Sequence, residues 1–345
     1  MMAMRFLKRS VAAGRQPVTR SIAAALLLIL PIAGCSGPQS ALSPRGVEAF
    51  SIGPLFWTAT WVGLVVTLIV VVLVAVALYG PERWRTWLGQ DWIIIGGGIV
   101  FPVTVLSGLL VYGLLIMQAG AMRSAQVGLE SITIRGKLWW WEVVYTTPEG
   151  EEIPSANELR LPVDRPVRLL LESDNVIHSF WAPQLGGKLD MIPGRTNELV
   201  VEATEAGVSR GQCAEYCGGA HALMSFFVVA MPQDEYDAWL ASKAEGARAP
   251  ATAEQERGQR LFLENGCGAC HQVRGTEARG LIGPDLTHVG SRLSLAAAAL
   301  PNDTKALMRW ITDGQHIKPE NRMPPFRQFS GGELSALAAY LSGLE

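Results

Sequence analysis

The stretch Cys213-Ala-Glu-Tyr-Cys217-Gly-Gly-Ala-His221-Ala-Leu-Met224 decides how this chain is read. Its twelve residues supply two thiolates, an imidazole and a thioether. Gly218 and Gly219 give the backbone the freedom to turn both sulfurs toward one point. Sulfur with imidazole selects copper or zinc over hard cations. Zinc is satisfied by two Cys and two His, with His178 upstream as the second imidazole. Met224 argues for copper, which takes a thioether as a weak axial ligand where zinc has no need of one. Around this cluster, residues 123–243 are short apolar runs broken by Pro and Gly, with strands expected at 130–134, 139–145, 167–172, 197–202 and 226–230. That length and spacing predict an all-β sandwich or small barrel, with the metal loop between its last two strands.

A second motif follows a short Ala/Pro linker, residues 244–253. Residues 254–265 read as a helix with Gly258, Leu261 and Phe262 on one face. It runs into Cys267-Gly-Ala-Cys270-His271. C-x-x-C-H is the covalent attachment string of c-type haem, two thioethers and a proximal imidazole. A bare C-x-x-C also serves thiol redox chemistry, but the adjoining His271 favours haem. The second axial ligand is expected to be Met323, in an extended loop before a helix at 332–344. His288, His316 and Met308 compete for that place. Met308 falls in a helical run, 304–311, and reads as core; the two histidines read as surface groups or partners of backbone groups.

The chain has 345 residues, enough for two or three folded units. It is 49% hydrophobic and 17% charged, too apolar for disorder and too sparsely charged for an ordinary soluble enzyme. A net charge of −2 leaves no basic field to gather nucleic acid. The first 47 residues hold no acid but carry Arg5, Lys8, Arg9, Arg15 and Arg20, then an apolar run from Ile22 to Ile32. These are the parts of an export signal over residues 1–35. Ile32-Ala33-Gly34-Cys35 has the look of a lipoprotein box that would lipidate Cys35, or of an ordinary cleavage site. Within residues 36–122, two uncharged stretches, 56–79 and 92–117, exceed the roughly 20 residues that cross a hydrocarbon core. Arg83 and Arg85, with Trp84 and Trp87 as interface anchors, make the connecting loop cytoplasmic by the positive-inside rule. Everything beyond Arg123 is then expected outside, behind a transmembrane hairpin.

Residues 174–197, with His178-Ser-Phe-Trp, Gly186-Gly187-Lys188 and Ile192-Pro193-Gly194-Arg195-Thr196-Asn197, resemble subunit II of haem–copper cytochrome c oxidases. So do the Cys213–Met224 cluster and Gly136-Lys-Leu-Trp139-Trp140-Trp141, while the C-terminal motifs, with Gly283-Pro284-Asp285-Leu286, resemble class I cytochrome c. The resemblance implies a multidomain chain: a two-helix transmembrane hairpin, an all-β cupredoxin-like barrel at 123–243 and an all-α class I cytochrome c at 254–345. It implies a binuclear copper A centre in which Cys213 and Cys217 bridge both coppers and His178 and His221 bind one each. Met224 would complete one copper and the Glu215 carbonyl the other. The Glu215 side chain would reach a magnesium ion at the interface with subunit I. Trp139 would lie between a docked donor and the copper, with Trp140 and Trp141 left to packing. Haem c would be held by Cys267, Cys270, His271 and Met323, with Pro284 buttressing His271.

By the same resemblance, electrons pass from a soluble cytochrome c or a quinol–cytochrome c oxidoreductase through haem c and copper A to subunit I. There oxygen is reduced and protons are pumped, with subunit III completing a complex in the bacterial inner membrane. Neither spanning stretch of this chain contains a histidine, so the oxygen chemistry is expected elsewhere. The alternatives are the copper A subunit of a nitric oxide reductase and a membrane-tethered electron shuttle. The linker is expected to act as a flexible tether, giving the donor an effective concentration of roughly millimolar. Two departures stand out. Asn175 occupies a position where the family often has an acid, and neither Glu82 nor Asp91 can be assigned to the acid that feeds a proton channel.

Overall fold

The computed structural model describes residues 36–125, 128–147 and 150–345; the expected export signal and Cys35 lie outside the described residues. Helix α1 (Val47–Tyr79) and a short α2 (Glu82–Leu88) lead into α3 (Asp91–Ile95). A π-type turn, Gly96–Val100, joins α3 to α4 (Phe101–Ser124). The apolar side chains of α1 and of the α3–α4 rod are exposed along their length, which only a nonaqueous surrounding tolerates. Three of their hydroxyls turn back on the helix: Thr60 donates to the Phe56 carbonyl, Thr67 to Gly63 and Thr104 to Val100, which satisfies those groups without water.

Both helices run beyond the uncharged stretches that announce them. The first turn of α1 is seated on the β domain, because Val47 N–H donates to the Glu202 carbonyl at 3.1 Å and Ala49 N–H to Leu185 at 3.1 Å. Apolar composition marks the lipid-facing part of such a helix and is silent about the turns that lean on protein.

The β domain is built from β1 (Ser131–Lys137), β2 (Trp140–Thr146), β3 (Glu152–Ala156), β4 (Glu158–Pro162), β5 (Val167–Ser173), β6 (His178–Trp181), β7 (Leu189–Met191), β8 (Asn197–Val201), β9 (Gly207–Cys213) and β10 (Ser225–Met231). They form two five-stranded sheets, β3-β2-β1-β5-β8 and β4-β10-β9-β6-β7. Strand β1 alternates half-buried and buried positions, and Ile132, Ile134, Leu169, Leu171, Phe180 and Phe226 fill the space between the sheets. Trp141 packs edge-on against Phe226 at 5.1 Å and Phe180 at 6.1 Å. This is the expected cupredoxin-like barrel. Lys137 pairs with Trp140, which places Leu138 and Trp139 in the hairpin turn rather than in the strand expected from 139. Helix α5 (Gln233–Ala244) closes the domain, its Trp239 ring 5.0 Å from Tyr145.

The C-terminal domain comprises α6 (Ala253–Glu264), α7 (Thr304–Ile317) and α8 (Gly331–Ser342). Thr252 and Asp303 accept from the N–H groups of Gln255 and Ala306, and Ser330 with Glu333 forms a capping box, so each helix starts on a side chain that satisfies its free N–H groups. Phe262, Leu307, Leu337 and Leu341 build its core. A small hairpin, β11 (Ser294–Leu295) and β12 (Leu300–Pro301), modifies the all-α expectation.

The connection between the domains is not a free tether. Arg274 donates to the carbonyls of Lys243 and Ala244, and Ala247 N–H donates to the Arg274 carbonyl at 2.9 Å. The β and helical domains are docked directly on one another, which replaces the flexible-linker expectation.

Candidate metal centre and haem cavity

The sulfur cluster occupies the loop between β9 and β10, the last two strands of the β domain. Cys213 ends β9, the loop closes through a 3-10 turn at His221–Leu223, and Met224 precedes β10. Cys213 N–H donates to the Met224 carbonyl at 2.9 Å and Ala214 N–H to Ser179 at 3.0 Å. These bonds tie both ends of the loop to each other and to β6, the strand that His178 opens. Gly218 takes the turn at φ +112°, open to glycine without strain. Gly136 is needed for a different reason: a Cβ there would lie 2.7 Å from the His178 ring.

The resulting donor set is compact. The two thiol sulfurs are 3.8 Å apart. His178 Nδ1 lies 3.8 Å from Cys213 Sγ, and His221 Nδ1 lies 3.5 Å from Cys217 Sγ. Met224 Sδ is 3.9 Å from Cys217 Sγ, and the Glu215 carbonyl oxygen is 3.2 Å from Cys213 Sγ. His178 and Met224 are fully buried and both cysteines nearly so. The hydrogen bond with Cys217 drives Cys213 down to about 3 against its burial, while Cys217 is pushed up. A cysteine that binds a metal does so as the thiolate. Two thiolates flanked symmetrically by one imidazole each, with a thioether beside one and a carbonyl beside the other, fit a soft-metal pair better than a single tetrahedral zinc. The Glu215 carboxylate is half-exposed and lies 3.9 Å from Lys188 Nζ.

Asn175 has a place that sequence reasoning did not give it. Its Oδ1 lies 3.3 Å from His178 Nε2, so a proton on Nε2 is satisfied there and Nδ1 is left facing the sulfurs. The spacing of three residues was visible; the turn that brings the amide onto the ring was not.

The C-terminal domain holds a cavity of about 250 Å³. Cys267, Cys270, His271 and Met323 line it among apolar side chains that include Phe262, Leu286 and Leu337. His271 Nδ1 lies 2.7 Å from the Pro284 carbonyl. A carbonyl only accepts, so the proton sits on Nδ1 and Nε2 keeps its lone pair for a metal. Burial also lowers the pKa of His271, favouring the neutral ring that ligates. A cavity with two cysteines and a neutral imidazole on its wall, and with a thioether also lining it, fits a covalently held haem. The competing residues are elsewhere: His288 sets its ring nitrogens against the Glu345 and Glu245 carbonyls, His316 is exposed, and Met308 packs on the core.

This cavity is shared between domains. Leu138, Trp139 and Trp140 of the β domain form part of its wall. The Trp139 indole Nε1 donates to the Cys217 carbonyl at 2.9 Å, and the residue is only 7% exposed. Behind it, Lys318 of α7's C-terminal end is 2% exposed and donates to the Trp139 carbonyl at 2.5 Å and the Ala296 carbonyl at 3.2 Å.

A cupredoxin-like barrel with a dithiolate metal loop, docked on a c-type cytochrome domain behind two apolar helices, defines a class of membrane-anchored redox proteins. Residues 149–231 match the family described as cytochrome c oxidase subunit II, periplasmic domain, and residues 255–345 match cytochrome c. The chain is 33% identical over 340 residues to cytochrome c oxidase subunit 2 of Alkalihalophilus pseudofirmus, covering 92% of this chain and 95% of that one. It is 35% identical over 227 residues to the Bacillus subtilis protein of the same name, covering 62% of each. Among solved structures it resembles the periplasmic domain of subunit II of the Bradyrhizobium japonicum cytochrome oxidase, with 31% identity, a TM-score of 0.32, and 33% of this chain and 93% of that chain covered. The chain belongs to the cytochrome c oxidase subunit 2 family and carries a fused cytochrome c domain.

Proposed function

We propose that this chain is the electron-accepting subunit of a terminal oxidase, passing electrons from its own haem c to a copper A pair and on to subunit I. Cys213, Cys217, His178, His221, Met224 and the Glu215 carbonyl would hold the copper pair. Cys267 and Cys270 would hold the haem by thioethers, and His271 and Met323 would be the residues that bind its iron. When bound, the haem and the copper pair would supply the one-electron redox chemistry, and the chain's own residues hold the two sites beside one another. The observation that carries this reading is Trp139: it lines the haem cavity on one side and hydrogen-bonds the backbone of Cys217 on the other.

The protein's own part in the step is to hold these groups still. The metal loop is tied at both ends to β strands and His178 is clamped between Gly136 and Asn175, so the ligands have little room to move when the charge changes. His/Met ligation raises the haem potential, which suits a donor. The buried docking of the two domains excludes water around Trp139. The exposed Glu215 carboxylate would reach a magnesium ion at the subunit I interface. Subunits I and III are the expected partners, a cytochrome c or quinol–cytochrome c oxidoreductase the expected donor. The domains would face the periplasm from the bacterial inner membrane. Metal analysis of the purified chain tests the assignment: a copper pair and one haem iron per chain are expected, and zinc in place of copper would overturn it.

A further inference from the structure

The docked face of the helical domain has an unusual backbone. Ala296, Ala297 and Ala298, in the turn between β11 and β12, take φ of +53°, +60° and +61°. Three successive left-handed alanines crowd each Cβ against the following carbonyl and persist only where the surroundings hold them. All three carbonyls are engaged at or beside the interface. Ala296 accepts from Lys318, Ala297 from Ser225 N–H at 3.2 Å, and Ala298 from Arg210 Nη2 at 3.4 Å. Ser225 immediately follows the ligand Met224. The strained turn therefore grips the metal domain next to the metal loop.

Lys318 joins the two halves of this grip. Its amine bridges the Ala296 carbonyl of its own domain and the Trp139 carbonyl of the other. The two carbonyls, with the Cys217 sulfur as an electrostatic partner, offset the cost of burying an amine there. An apolar residue of the same length would fill the space without directing it.

We propose that Lys318 is the positioning residue that sets the haem domain on Trp139, so that electrons reach the metal loop from a donor in fixed register and not from one swinging on a tether. The inference rests on the electron-transfer reading above.

The test is the internal transfer rate in the full, haem- and copper-loaded chain after flash reduction of the haem. In Lys318→Met the rate should fall at least about tenfold, the scale expected of a small misplacement, while the copper and haem content and the spectra of both centres stay as in the native chain. A native rate in that variant would overturn the inference. A second variant decides independently of how well the first folds. Ten Gly/Ser residues inserted after Ala249 roughly double the linker, which slows a tethered donor by about threefold and leaves a docked one unchanged. A fall of that size would overturn the inference even if Lys318→Met failed to assemble. Absence of any transfer in the native chain with both centres present would instead overturn the proposed function itself.

Discussion

Trp139 donates its indole proton to the Cys217 carbonyl at 2.9 Å from a hairpin turn that also walls the haem cavity. One side chain therefore touches both compartments between which an electron has to pass. Trp139→Leu keeps the site apolar but loses the aromatic system, the hydrogen bond and part of the bulk. Internal transfer should fall by at least about tenfold with copper content unchanged, as measured by flash kinetics beside metal analysis.

Asn175 holds His178 by its Nε2. Groups of this kind commonly account for about 10- to 100-fold in metal affinity. Asn175→Ala should weaken copper binding within that range in a chelator competition, and Asn175→Asp, a stronger acceptor, should retain it.

Met323 lines the haem cavity while Met308 packs on the core. In Met323→Leu the haem should stay attached through Cys267 and Cys270, but its midpoint potential should drop, since Met ligation is what raises it. Redox titration checks the drop. The same titration on Met308→Leu should give the native potential.

Phe262 is 2% exposed, with its ring 5.8 Å from Tyr340. Phe262→Ala should destabilise the helical domain by about 3–5 kcal/mol, seen in urea unfolding of the whole chain followed at the haem absorption. The β-domain transition, followed by tryptophan fluorescence, should move much less.

Much of the architecture could be read from the residues. The thiol–imidazole–thioether loop, the C-x-x-C-H string and the two long uncharged stretches each demand a particular chemistry at a particular spacing, and each sits where that spacing implies. What escaped were relationships made by tertiary contact. Lys318 reads as an ordinary surface lysine at a helix end, and nothing in its neighbours says that the Trp139 carbonyl will meet it. Ala296 to Ala298 read as helix formers, yet docking holds them left-handed. Asn175 reads as the loss of an acid rather than as the partner of a ligand. The linker's composition suggests freedom, and Arg274, distant in sequence, removes it.

The most direct measurement is electron paramagnetic resonance on the full chain, purified in detergent with haem and copper in place, before and after the haem is reduced by a flash. We expect hyperfine structure from one unpaired electron shared by two copper nuclei, decaying at the rate at which the haem is reoxidised. Copper signals from isolated single ions, or a reduced haem that never passes its electron to the copper, would contradict the account.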